Sequence, residues 1–156
     1  MPFTGPFEDR LAIRELIESY GDAVTQRDVN AWAACWAEDG RWCLPDLPGW
    51  EEIKGKQTIV AEWLKMMEAF HGPEDNADAC IFISTPGAIN VNQDTATGRT
   101  YTTESYTDSA GVSRRILSEY QDKFIKRHGQ WLFAERSWKM LPIEDAAALS
   151  ADASRR

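Results

Sequence analysis

Gly98-Arg-Thr-Tyr-Thr-Thr-Glu-Ser-Tyr-Thr107, Val112-Ser-Arg-Arg-Ile-Leu-Ser-Glu-Tyr-Gln-Asp-Lys-Phe-Ile-Lys-Arg127 and Trp131-Leu-Phe-Ala-Glu-Arg-Ser-Trp-Lys-Met-Leu141 follow one another with short interruptions. Turn formers separate them, at residues 108–111 and at His128-Gly129, so this part of the chain reads as successive antiparallel strands. Two shorter strands are expected before them, at 79–85 and 88–92. Pro86-Gly87 divides these two, and Asp94-Thr95 turns the chain into the next.

Upstream of residue 79 the apolar spacing becomes helical. Ile13, Leu16, Ile17, Tyr20 and Val24 form one stripe between Glu8 and Arg27, which predicts an amphipathic helix. Asp28 is placed to cap a short second helix carrying Val29, Trp32, Ala33 and Trp36, with Asp39-Gly40 ending it. A short strand at 41–44 stops at Pro45, and a loop through Pro48-Gly49 leads to Gly55. Ile59, Trp63, Met66, Met67 and Phe70 then mark a third helix over 56–70, terminated by His71-Gly72-Pro73. Helices followed by a run of strands predict an α+β domain, with three helices packed on one face of a curved, mostly antiparallel sheet. Such a sheet closed by helices is expected to form a cone with an internal pocket. We assign one domain to residues 1–141 and a mobile tail to 142–156, which is rich in Ala, Ser and Asp.

The chain of 156 residues is long enough for one well-buried core. No apolar run approaches the roughly 20 residues of a membrane span, and the first residues lack the pattern of a signal peptide, so a cytoplasmic location without membrane contact is expected. Three cysteines, Cys35, Cys43 and Cys80, with no Cys-x-x-Cys spacing, suggest free thiols rather than a disulfide framework or a zinc site. With two histidines far apart, no metal site is expected. A formal charge of -8, with scattered basic residues, argues against nucleic acid as a partner. Seven Trp, six Phe and four Tyr exceed what a core of this size needs. A pocket for a flat apolar ligand is one explanation, and an oligomer interface is the other.

Several segments resemble the SnoaL-like family. They are Tyr20-Gly-Asp-Ala-Val-Thr-Gln-Arg-Asp-Val-Asn-Ala-Trp, Glu38-Asp-Gly-Arg-Trp and Gly55-Lys-Gln-Thr-Ile, then Asp94-Thr-Ala-Thr-Gly-Arg-Thr-Tyr, Tyr120-Gln-Asp-Lys-Phe, His128-Gly-Gln-Trp and Arg136. The resemblance covers roughly residues 8 to 141. It implies the nuclear-transport-factor-2-like fold, an apolar cavity, and proton removal beside a leaving group or carbonyl with no cofactor. Dehydratases and a dehydrochlorinase of this superfamily use a His-Asp pair. By an ungapped match around Ser84-Thr85-Pro86, those positions hold Ile81 and Thr25, neither of which abstracts a proton at neutral pH. The resemblance also implies a homotrimer or homodimer, here through the outer sheet face, with the apolar content of 112–141 as its motive.

Other residues must then carry any chemistry. Tyr20 lies within the apolar stripe, where it either polarises a substrate oxygen or bonds locally in the core. Glu104 shares one face of its strand with Gly98, Thr100, Thr102 and Tyr106 by simple alternation. If that face is concave, desolvation raises its pKa toward useful base strength; if it is convex, Glu104 is solvated. Asp22 falls opposite the stripe and should face water. His128 sits in a turn, and His71 either caps the third helix or dips into the pocket mouth. The reading is a cofactor-independent lyase, dehydratase or isomerase acting on a hydrophobic, aromatic or polycyclic small molecule. Tyr20 is its hydrogen-bond donor and Glu104 its base; Trp42, Trp63 and Tyr120 shape the wall, and Thr102, Thr25 and Ile81 are further ligand contacts. The alternative is a non-catalytic binder or accessory subunit, like the small subunits of ring-hydroxylating dioxygenases.

Overall fold

A computed structural model describes residues 3–69, 80–107 and 113–141. The elements in chain order are β1 (Phe3–Thr4), α1 (Phe7–Gln26), α2 (Val29–Ala34), β2 (Trp36–Cys43), β3 (Ile53–Lys54), α3 (Lys56–Ala69), β4 (Ile81–Asn92), β5 (Thr95–Thr107), β6 (Ser113–Arg127) and β7 (Gln130–Met140). The seven strands form one curved, unclosed sheet in the order β1-β4-β5-β6-β7-β2-β3. Pairing is antiparallel except for β1 with β4 and β2 with β7.

Helix α1 buries Ile13, Ile17, Tyr20, Ala23 and Val24 on the predicted stripe, while Asp22 faces solvent. Glu8 and Asp9 in its first turn complement the helix dipole. Gly21 lets the helix lie directly on β4, since a Cβ there would stand 2.9 Å from Ser84 Oγ and 3.2 Å from the Phe82 carbonyl. Arg27 ends the helix in the left-handed region, with φ 57°. Asp28 caps α2 as expected, accepting from the Asn30 and Ala31 amides at 3.0 and 2.9 Å.

Three boundaries differ from the sequence reading. Trp36 opens β2 instead of closing α2, and the strand runs through Asp39-Gly40, where a register shift against β7 absorbs the irregularity. Pro86-Gly87 does not divide two strands. It forms a bulge within one continuous β4, because Pro86 pairs with Thr100 but Ile89 with Gly98, leaving one extra residue. The bulge exchanges the faces of β4, so Phe82 and Ser84 before it and Ile89 after it all point inward. On β6 and β7, Tyr120, Phe124, Trp131, Phe133 and Trp138 are buried within the fold, while Leu117, Ile125 and Leu132 are half-buried. The large apolar residues exposed on the outer sheet face lie mainly in β4 and β5, at Ile81, Ile83 and Tyr101. His71, the turn at 108–111 and the expected tail at 142–156 lie outside the described residues.

Candidate functional site

Cross-strand register decides which side chains meet beneath the helices. On the inner face, Phe82, Glu104 and Ile116 form one row; Ser84, Thr102, Ser118 and Met140 the next; Thr100, Tyr120 and Trp138 a third. Against these rows α1 and α3 enclose a cavity of about 140 Å3. Tyr20 and Val24 reach it from α1, and Trp63, Met66 and Met67 from α3. Trp42, Phe82, Glu104, Ile116, Tyr120 and Trp138 complete the wall from the sheet, and Met140, 45% exposed, marks where it meets the surface. A larger hollow of about 490 Å3 opens elsewhere, toward solvent, beside Asn90, Thr97 and Lys123. The smaller cavity is the candidate site, because it is apolar and aromatic with a few convergent polar groups.

Among the described residues that line this cavity, Glu104 is the one carboxylate. Burial pushes its carboxyl above the usual value; the Cys80 thiol, with Sγ 3.6 Å from Oε1, and the charge of Arg27 offset only part of this. Arg27 is tied to the end of α3 by a 3.1 Å bond from Nη1 to the Met67 carbonyl. Cys80 itself is buried, and its thiol is pushed up to about 11.

Tyr20 and Tyr120 face one another with ring centroids 6.5 Å apart. Burial raises the pKa of both phenols, so both are protonated donors at neutral pH. Behind them lies a side-chain group that the sequence reading missed. Arg136, fully buried, places its guanidinium carbon 4.3 Å from the Tyr20 ring centroid, 3.9 Å from that of Tyr120 and 4.1 Å from that of Phe133. Its Nε donates to Asp122 Oδ1 at 2.8 Å and its Nη2 to Oδ2 at 3.3 Å, while the Thr100 hydroxyl donates to Oδ2 at 2.6 Å. Burial pushes the Asp122 carboxyl up, and the Arg136 guanidinium and the Thr100 hydroxyl pull against it. The signal was available: a hairpin turning at His128-Gly129 brings the strand carrying Asp122 back alongside that carrying Arg136, and strand alternation puts Asp122 on the face of Tyr120.

Of the other expected ligand contacts, Trp42 and Trp63 line the cavity within an aromatic cluster in which Trp63 stacks on Trp32 at 4.7 Å. Three are corrected. Ile81 is 55% exposed on the outer face, one residue out of phase with the inward Phe82. Thr25 is committed to the backbone of Phe82, its hydroxyl accepting from the amide at 2.9 Å. Thr102 is buried, its hydroxyl bonded to that of Ser118, and it is absent from the cavity wall. His128 is exposed in its turn. Among the described residues no group of three or more His, Cys, Asp or Glu side chains is arranged to hold a metal ion. No described helix is long and apolar enough to cross a membrane.

This sheet order, with the helices over an aromatic cavity, places the protein among the nuclear-transport-factor-2-like proteins of cystatin-like fold. The SnoaL-like domain profile matches residues 6–137, and the chain belongs to that family. A nuclear-transport-factor-2-like protein from Novosphingobium aromaticivorans is 26% identical, with a TM-score of 0.69 over 92% of this chain and 88% of that one. A scytalone-dehydratase-like protein from the same organism is 18% identical, with a TM-score of 0.72 over 86% of this chain and 85% of its own. A type 2 hexachlorocyclohexane dehydrochlorinase is 19% identical, with a TM-score of 0.72 over 88% of this chain and 90% of that one. The last two likenesses concern the fold. No curated protein matches the chain significantly.

Proposed function

We propose that the chain is a cofactor-independent lyase, dehydratase or isomerase that removes a proton from a hydrophobic ring compound held in a conical space between helices and sheet. The observation that carries this reading is Glu104, a carboxylate raised by burial in the wall of an aromatic cavity that Tyr20 and Tyr120 also line. A base of raised pKa is matched to proton abstraction near neutral pH, and a phenol can bond to the negative oxygen that develops. Such chemistry asks for neither a metal nor an organic cofactor. The proposed assembly is a homodimer or homotrimer through the outer face around Ile81, Ile83 and Tyr101, which are 55%, 56% and 40% exposed.

Proton abstraction can be tested before the natural substrate is identified. Exchange of carbon-bound protons in a panel of cyclic ketones is followed by NMR in deuterated buffer. The wild-type chain is expected to accelerate exchange of at least one ketone, and Glu104→Gln to lower that rate by about two to four orders of magnitude. Exchange unaffected by Glu104→Gln refutes the role of the carboxylate. The second reading, a binding or accessory protein, is favoured by Thr25, since the residue at the family's aspartate position is bonded to the backbone of β4. Ligand binding with no exchange for any ketone would select it.

A further inference from the structure

Asp122 and Glu104 both lie on the inner face of the sheet, and their surroundings differ. Asp122 accepts from Arg136 Nε and Nη2 and from the Thr100 hydroxyl, so both of its oxygens are committed to the core. Glu104 accepts instead from the Cys80 thiol, whose Sγ stands 3.6 Å from Oε1. Strand register explains the contact. Phe82 is paired with Glu104, and Cys80, two residues earlier, shares the inward side of Phe82, which puts it diagonally across from the carboxyl. Cys80 is 6% exposed, whereas Ile81 between them points outward. Cys80 is not part of the cavity wall, so its thiol meets the carboxylate from outside the ligand space.

The kind of donor matters for what the carboxylate can do. With its pKa pushed up to about 11, Cys80 is a neutral S–H at pH 7 and a donor, not a thiolate nucleophile. A thiol is a weak donor. A cation bonded as Arg136 is to Asp122 would pull the carboxyl down and fill its lone pairs, whereas a thiol turns the group and leaves it basic. The other groups acting on Glu104 are the Arg27 charge at the end of α1 and the Tyr120 phenol on β6. Tyr106 and Arg114 form the next row on the same face, and α3 presents only Trp63, Met66 and Met67 to the cavity.

We infer that Cys80 is a positioning residue for Glu104: its thiol holds Oε1, so that the other oxygen, Oε2, is turned to the substrate proton. The inference rests on Glu104 being the base proposed above, and that proposal does not depend on it.

The test uses the whole chain and reads the thiol directly. S–H stretching bands fall in an infrared window free of other protein absorption, and a thiol donating to a carboxylate absorbs at lower wavenumber than one beside a carboxylic acid. The band missing from Cys80→Ala belongs to Cys80; should that variant not fold, Cys35→Ala and Cys43→Ala assign the other two bands. Carboxyl 13C resonances of glutamate-labelled protein, with Glu104 identified by its loss in Glu104→Gln, give the pH at which Glu104 titrates. The Cys80 band of the wild-type chain is expected to move to higher wavenumber over the same pH interval. In Cys80→Ala, Glu104 should titrate at higher pH, because the charged form has lost a donor. Ketone exchange by Cys80→Ala should be about tenfold slower at pH values above that titration, where the carboxylate is fully ionised but no longer held. A Cys80 band that ignores the titration of Glu104, a Glu104 titration unmoved or moved down in Cys80→Ala, or undiminished exchange at high pH each overturns the inference. If Glu104→Gln leaves exchange unchanged, the base and this role fail together; if Glu104→Gln abolishes exchange while the Cys80 band stays still, only the positioning role fails.

Discussion

Replacing Asp122 by Ala leaves the Arg136 guanidinium without its counter-charge in a place with no solvent contact, and leaves the Thr100 hydroxyl without its acceptor. Breaking a buried ion pair from one side costs about 3–5 kcal/mol, a large part of the roughly 5–15 kcal/mol that holds a domain together. For a chain of this size each kcal/mol moves the melting temperature by about 2–4 °C, so a loss of about 6–20 °C is expected. Arg136→Met should behave differently. The carboxyl it strands can take up a proton, and a carboxyl raised on folding adds stability below its unfolded pKa and loses it as pH rises through the folded value. The deficit of Arg136→Met relative to wild type should therefore shrink as pH falls, whereas that of Asp122→Ala has no titrating carboxyl to relieve it. Denaturant unfolding at fixed protein concentration, at several pH values, measures both. An Asp122→Ala deficit below about 1 kcal/mol would refute the reasoning, since that is the scale of an exposed pair.

Two further outcomes are expected. Burial holds the Glu104 carboxyl above its ordinary value, so folding stability from this group is lost as pH rises through the folded pKa. Glu104→Gln should therefore stabilise the fold at neutral pH, by an amount that shrinks as pH falls and vanishes only below about pH 3, where the carboxyl is protonated in both states; a pH-independent difference in unfolding midpoint contradicts this. The chain should sediment as a dimer or trimer at micromolar concentration, and Ile81→Lys combined with Ile83→Lys should shift it toward monomer; a wild-type monomer rules out the proposed interface.

Periodicity carried the helices well because a helix on a sheet buries one stripe and exposes the rest, as Ile13, Ile17, Tyr20 and Val24 against Asp22 illustrate. It failed at Pro86-Gly87 for a definite reason. Proline and glycine are the ordinary marks of a turn, but the same two residues also suit a bulge, and only partner strands that continue past them distinguish the two. Here β5 runs uninterrupted alongside, and the extra residue exchanges the faces of β4 without ending it.

The site shows the same division between local and non-local information. Glu104 could be put on a face by alternation, but which face is concave depends on where α1 lies, and Gly21, the small residue that permits its close approach to Ser84 and Phe82, gives no periodic signal. Ile81 was carried over from a family position by sequence distance alone, whereas the pairing of Phe82 with Glu104 turns Phe82 inward and Ile81 outward. The surplus aromatic residues pointed to a pocket or an interface, and the structure adds a third use. Tyr20, Tyr120 and Phe133 surround a buried guanidinium whose charge is balanced by Asp122. A charged pair in a core is costly unless its hydrogen bonds and surroundings compensate, so its position directly behind the two cavity phenols ties the packing of the sheet to the donor strength of the site.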